Sequence, residues 1–151
     1  MHAKAPDTSL TDSAARLRMA IVRTARRLRQ EAASEASGLT PTSTAALATI
    51  DRHGPLTPSE LAEIERVKRP TVTRTLGCLD REGLIERTPD PADGRSALVS
   101  VNASGRERLR RLRGRKNAYL ARRMKRLSAA DVATLERAAE ILEGMLEGER
   151  S

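Results

Sequence analysis

Aromatic side chains are almost missing from this 151-residue chain: Tyr119 stands alone, with no Phe and no Trp. Proteins that hold RNA or single strands stack bases on aromatic rings, so that mode of binding is excluded. A single cysteine, Cys78, rules out an internal disulfide framework and leaves no second thiol to resolve an oxidised one. With only His2 and His53 beside it, no cluster has metal-ligand spacing. No apolar run approaches the roughly 20 residues of a membrane span, and the N-terminus carries no signal-peptide core. The expectation is a soluble, cytoplasmic protein with no metal, no cofactor and no membrane partner. No nucleophile, base and orienting group can be assembled from these residues, and no phosphate loop occurs, which argues against an enzyme.

Positive charge, by contrast, is abundant. Lys and Arg number 28 against 20 Asp and Glu, for a formal net charge of +8 and a pI near 10.9. That balance implies an acidic partner, of which nucleic acid is the commonest. At this length, with 38% hydrophobic residues, one core and one domain over 1–151 are expected.

Apolar spacing at Leu17, Ile21, Ala25, Leu28 and Ala32 predicts a helix from Asp12 to about Ser37. A shorter helix follows from about Pro41 to Arg52, with Ala46, Leu47 and Ile50 inward, and His53-Gly54-Pro55 ends it. Thr57 is an N-cap, Pro58 occupies the first helical position, Glu60 closes a capping box, and Leu56 and Leu61 hold staple positions. That helix is short because another must start close to Pro70, where proline is tolerated only in the first turn. Val72, Leu76 and Leu79 form its core stripe, and Gly83 stops it. Two helices of about three turns joined by "ERVKR" read as a helix-turn-helix. The segments "LIERT" and "ALVSV" flank an Asp93-Gly94 turn and read as a hairpin wing. Asn102 caps a long helix carrying Leu109, Leu112, Tyr119, Leu120 and Met124. A last helix opens at Ser128, with Asp131 as box partner and Leu127 against Val132 as staple, and continues through Leu135, Leu142 and Met145.

With Val72, Leu76 and Leu79 inward, Pro70, Thr71, Thr73, Arg74 and Gly77 point away, and Arg69 stands at the helix entrance. This face has no acidic side chain and suits a major groove, where Arg bonds guanine O6 and N7 and a Thr methyl meets thymine. The bland alternative is that any exposed helix face is polar. In the hairpin, Asp93 and Gly94 alone serve a turn. Arg95 adds a cation that suits a narrow minor groove, with Asp93 close enough in sequence to brace its guanidinium. Thr57, Ser59 and Lys68, at the starts of the two helices, complete the candidate set as phosphate contacts, and Arg69 is the stronger phosphate binder of the reading helix.

The stretch "TPSELAEIERVKRPTVTRTLGCLDREGLIERTPDPADGRSALVSVNASGRERL" resembles the winged helix-turn-helix core of the multiple antibiotic resistance regulator (MarR) family. The resemblance covers roughly Leu39 to Leu109, and its most specific part is the Asp-x-Arg of Asp93 and Arg95. Lys68 stands where the family commonly has a capping Ser, Val101-Asn102 replaces the usual Leu-Thr, and Gly77 and Cys78 hold positions often charged. The resemblance implies a mainly α winged helix-turn-helix fold with a small β-hairpin wing. A 39–101 DNA-binding core then lies between dimerisation helices over 12–37 and 102–150. It also implies a homodimer on pseudo-palindromic double-stranded DNA, usually repressing, and released by a small phenolic effector or an oxidant. With so few aromatics, such a ligand has to sit among aliphatic and basic side chains. Basic residues crowd the fifth helix and acidic ones the sixth, so helices can attract across a dimer interface. The alternative in another class is a sequence-indifferent nucleoid- or RNA-binding basic protein, marked by steep salt dependence without duplex preference.

Overall fold

The structure, a computed structural model, describes residues 8–33 and 38–147. The elements are α1 (Thr8–Ala33), α2 (Pro41–His53), α3 (Pro58–Glu65), α4 (Arg69–Arg81), β1 (Ile85–Pro89), β2 (Ala97–Val101), α5 (Ala103–Met124) and α6 (Ala129–Glu147). They divide between two compact units, residues 1–116 and 117–151, with the boundary inside α5. The mainly helical, winged helix-turn-helix fold expected from the sequence is the one found. α1 begins at Thr8 rather than Asp12, because Leu10 extends the stripe of Leu17 by two helical turns. Its expected end near Ser37 lies outside the described residues.

The core of the first unit closes where α2, α3, α4 and the hairpin meet. Leu47, Ile50, Leu61, Leu76, Leu79 and Val99 are the largest fully buried side chains. Each of the inward stripes predicted for α2 and α4 is buried. α3 starts as its capping signal requires: the Glu60 amide donates to Thr57 Oγ1 at 3.2 Å and the Thr57 amide to Glu60 Oε2 at 2.8 Å. These bonds from the Thr57 amide and hydroxyl hold the Glu60 carboxyl below its ordinary value. The box therefore contributes fully above the unfolded carboxylate pKa and is lost as pH falls through the lowered one.

α3 runs eight residues, little more than two turns rather than three. It ends at Arg66, which adopts φ 52° and ψ 44° in the left-handed region, and the Val67 amide then donates to Ala62 O at 3.0 Å. That sharp reversal is what brings α4 in so soon. Lys68 supplies no side-chain cap to α4.

β1 and β2 pair antiparallel, with Ile85 opposite Val101, Arg87 opposite Val99 and Pro89 opposite Ala97. Leu56, expected only as a staple, also bridges Val99 on the other edge of β2 through bonds of 3.0 and 2.7 Å. The Asp93-Gly94 turn lies within a longer loop, where Asp93 O accepts the Ser96 amide at 3.0 Å. Seven residues, Asp90 to Ser96, join the strands, and Gly94 is not among the glycines with positive φ. The Asp90 amide donates to Ser96 O at 3.1 Å and closes the loop, while Pro89 stands opposite Ala97 at a position whose amide would face away from β2.

α5 leaves the hairpin under tight constraint. Asn102 Oδ1 accepts the Gly105 amide at 2.9 Å, and its Nδ2 donates to Gly83 O at 2.9 Å. A Cβ on Gly105 would stand 2.2 Å from Leu84 O and 2.6 Å from Val101 Cγ1. α6 opens with Ser128 Oγ accepting the Asp131 amide at 3.1 Å. Among its described residues none is buried, and Leu135, Ile141 and Met145 are 47, 50 and 62% exposed. Gly105→Ala is expected to destabilise the first unit by about 1–3 kcal/mol, because backbone rather than a mobile side chain must yield. Thermal denaturation followed by circular dichroism measures it.

Candidate nucleic-acid interface

Between Arg66 and Cys78 the chain carries Arg66, Lys68, Arg69 and Arg74 and no acidic residue. α4 turns Val72, Thr75, Leu76 and Leu79 into the core. Arg69, Pro70, Thr73 and Arg74 are exposed, while Thr71 and Gly77 are half-buried at the margin of that face. Thr73 spends its hydroxyl on Arg69 O at 3.1 Å and so presents its methyl group outward. Thr75 was not singled out by the sequence: 7% exposed, it sits on the buried side of α4 at the helical spacing of Val72 and Leu79, but its hydroxyl kept it out of an apolar stripe.

The three phosphate candidates differ. Thr57 is half-buried and its hydroxyl is engaged with Glu60, so what it offers outward is a helix start rather than a free hydroxyl. Ser59 is half-buried in the first turn of α3. Lys68 is exposed at the start of α4, where its carbonyl accepts the Thr71 and Val72 amides at 3.0 and 3.3 Å and its side chain makes no cap.

In the wing, Asp93 and Arg95 are both exposed. Asp93 does not brace the Arg95 guanidinium as expected. Its Oδ1 accepts the Arg95 amide at 3.0 Å, an Asx turn, and Asp90 Oδ1 does the same for Ala92 at 2.9 Å. Together with Ser96 N to Asp93 O at 3.0 Å, these bonds order the loop backbone and leave the arginine side chain extended into solvent. A carboxylate reaches the amide two residues on at less entropic cost than it holds a long side chain. The sequence reading also missed Asp80 and Arg87, which pair at 2.7 Å between α4 and β1. No rule of spacing links a helix end to the middle of the next strand.

An ordered basic helix beside an ordered wing with an outward arginine matches a known design. The MarR family model matches residues 39–97. An HTH-type transcriptional regulator of Mycobacterium bovis, itself uncharacterised, is 36% identical over 88% of this chain and 94% of its own. This chain belongs to the MarR family. It is a helix-turn-helix transcriptional regulator of that family. Similar to it as well are an HTH-type transcriptional repressor of Bacillus subtilis, 33% identical over 58% of this chain and 57% of its own, and a solved Pseudomonas aeruginosa protein. The latter superposes with a TM-score of 0.81 at 32% identity, covering 93% of this chain and 99% of that one.

The geometry of this MarR-family wing gives Asp93 a sign test. Asp93→Ala removes a negative charge, so electrostatics alone tightens DNA binding. Loss of the Asx turn disorders the backbone at Arg95, and reordering it on DNA costs about 1–2 kcal/mol. We expect the second effect to win and binding to weaken severalfold, read by fluorescence anisotropy at moderate salt with the fold checked by circular dichroism. Tighter binding would leave Asp93 with no role in presenting Arg95.

Proposed function

We propose that the protein is a homodimeric repressor that binds a pseudo-palindromic double-stranded site. In each half-site α4 enters the major groove through Arg74, Thr71 and Thr73, Arg95 enters the adjacent minor groove, and Arg69, Lys68 and the start of α3 meet phosphates. The observation that carries this is the pairing of an exposed helix face, free of acidic side chains from Arg69 to Gly77, with an arginine whose loop, but not whose side chain, is held by the protein. The name of the Bacillus subtilis relative supports repression.

The dimer rests on apolar surface that a single chain leaves in water. Leu10, Leu17, Ile21 and Val22 of α1 are 71, 46, 43 and 48% exposed, and α6 is bare along its apolar face. Contiguous apolar faces of this size mark interfaces. An effector fits a cavity of about 190 Å³ among α1, α2 and α5, lined by Ala32, Leu39, Ala45 and Leu112 with Arg29 and Lys116. Since a cavity of about 150 Å³ accepts benzene, one aromatic ring with an acidic group is the ligand this space suits.

Light scattering at micromolar concentration is expected to give twice the 16.5 kDa of one chain. Footprints should be two-fold symmetric, with half-site centres about 10 base pairs apart. A monomer that binds tightly, or a footprint without sequence preference, would favour the nucleoid-type alternative. Arg74→Ala is expected to cost about 1–3 kcal/mol on the preferred duplex and to flatten discrimination at one base pair per half-site. Equal losses on preferred and random duplexes would make Arg74 a phosphate contact.

A further inference from the structure

α4 and the wing must present their arginines to two grooves at once, yet the two strands of the wing are held unequally. β2 buries Val99 and Val101 and has Leu56 bridged to its far edge. β1 is the outer strand, in which Ile85 is buried and Glu86 to Pro89 are exposed. Among the described residues, the one β1 side chain hydrogen-bonded or ion-paired to a helix is Arg87, whose Nε and Nη2 both donate to Asp80 Oδ2, at 3.2 and 2.7 Å. Asp80 stands in the last turn of α4, about 9 Å along the axis from Arg74. Arg87 is the middle residue of β1. Both side chains are 40% exposed, and pairs so exposed add little to folding stability. A forked contact at that place constrains direction more than it adds energy.

We propose that Asp80 and Arg87 are positioning residues that set the wing against α4, so that Arg95 and Arg74 meet their grooves in one register. The proposal rests on the groove assignment of those two arginines.

Asp80 is the informative member, because Arg87 as a cation could also meet a phosphate. The probe is a duplex that the unaltered chain selects from a random-sequence pool. Asp80→Ala removes a negative charge, so electrostatics alone tightens binding to every duplex. A purely structural role would lower the thermal midpoint and weaken all duplexes alike. The positioning role gives a third pattern: about three- to tenfold weaker binding to the selected duplex, unchanged or tighter binding to a random one, and an unchanged midpoint. In an Arg95→Ala background the same substitution should bring no further loss, since no wing contact remains to be misplaced. Unchanged or tighter binding to the selected duplex overturns the proposal, and so do losses that simply add in the double variant. If Asp80→Ala does not fold, Arg87→Lys replaces it. The single ammonium keeps the charge but not the fork, so a partial loss is expected and full binding overturns the pair. A pool that yields no preferred sequence overturns the groove assignment, and the pair with it.

Discussion

The orientation of both α4 and the wing hangs on one junction, where Gly83 and Leu84 leave α4 and Asn102 to Gly105 enter α5. The Asn102 amide donates to Leu84 O at 3.2 Å, its side chain spans Gly83 O and the Gly105 amide, and Gly105 lies directly against Leu84 O. Leu84, Ile85 and Val101 are buried around it, so the Leu84 carbonyl needs the partner that the Asn102 amide supplies. Asparagine suits the place because it carries an acceptor and a two-proton donor on one planar group. A threonine there would cap the helix but would lack the amide that reaches back to Gly83. The departure from the family's usual Leu-Thr thus closes the hairpin as well as starting α5.

What was legible in the sequence was what is satisfied locally. The box at Thr57 and Glu60, the Ser128 cap on the Asp131 amide and the cap at Asn102 each close within three residues, and the stripes of α2 and α4 follow from helical period alone. Contacts between elements were not legible: Leu56 with Val99, Arg87 with Asp80, and Arg113 with Asp51 at 3.2 Å join residues that no periodicity relates. The hairpin and its Asp93-Gly94 turn were legible, but the seven-residue span of the loop, closed by the Asp90 amide on Ser96 O, was not. Of the candidate interface, the reading face of α4 and the exposure of Arg95 were legible; the means by which the wing is held were not.

Net charge overstates what is available to DNA. Along α5, Arg106 donates to Val101 O at 2.7 Å, Arg115 to Ala32 O at 3.3 Å, Arg110 binds Glu107 and Arg113 reaches Asp51. Arg106, Arg113 and Arg115 thus link α5 to β2, α2 and α1, and Arg110 is spent within α5. In α6, Glu140 pairs with Arg137 on its own helix at 2.7 Å, so it is already engaged before any second copy approaches. Among the described residues, the side chains of Lys68, Arg69, Arg74 and Arg95 have no such partner. A cation without a partner can meet a phosphate or a base edge without first breaking a bond, which favours these four over the more numerous arginines of α5.

The two arginines proposed to enter grooves are mounted differently, and the difference matches what each groove demands. Reading guanine O6 and N7 needs two bonds of fixed direction, so Arg74 projects from a helix whose inner face, Val72, Thr75 and Leu76, is locked in the core. A minor groove offers mainly potential and width, which a cation senses without a set donor geometry. There the protein orders only the backbone, through Asp90, Asp93 and two prolines, and leaves the Arg95 side chain to settle. Holding that side chain as well would save up to about 2 kcal/mol of rotamer entropy, but it would fix one groove depth and oppose a carboxylate to the phosphates on either side. A wing so built tolerates variation in the flanking base pairs while α4 keeps its demand on the central ones.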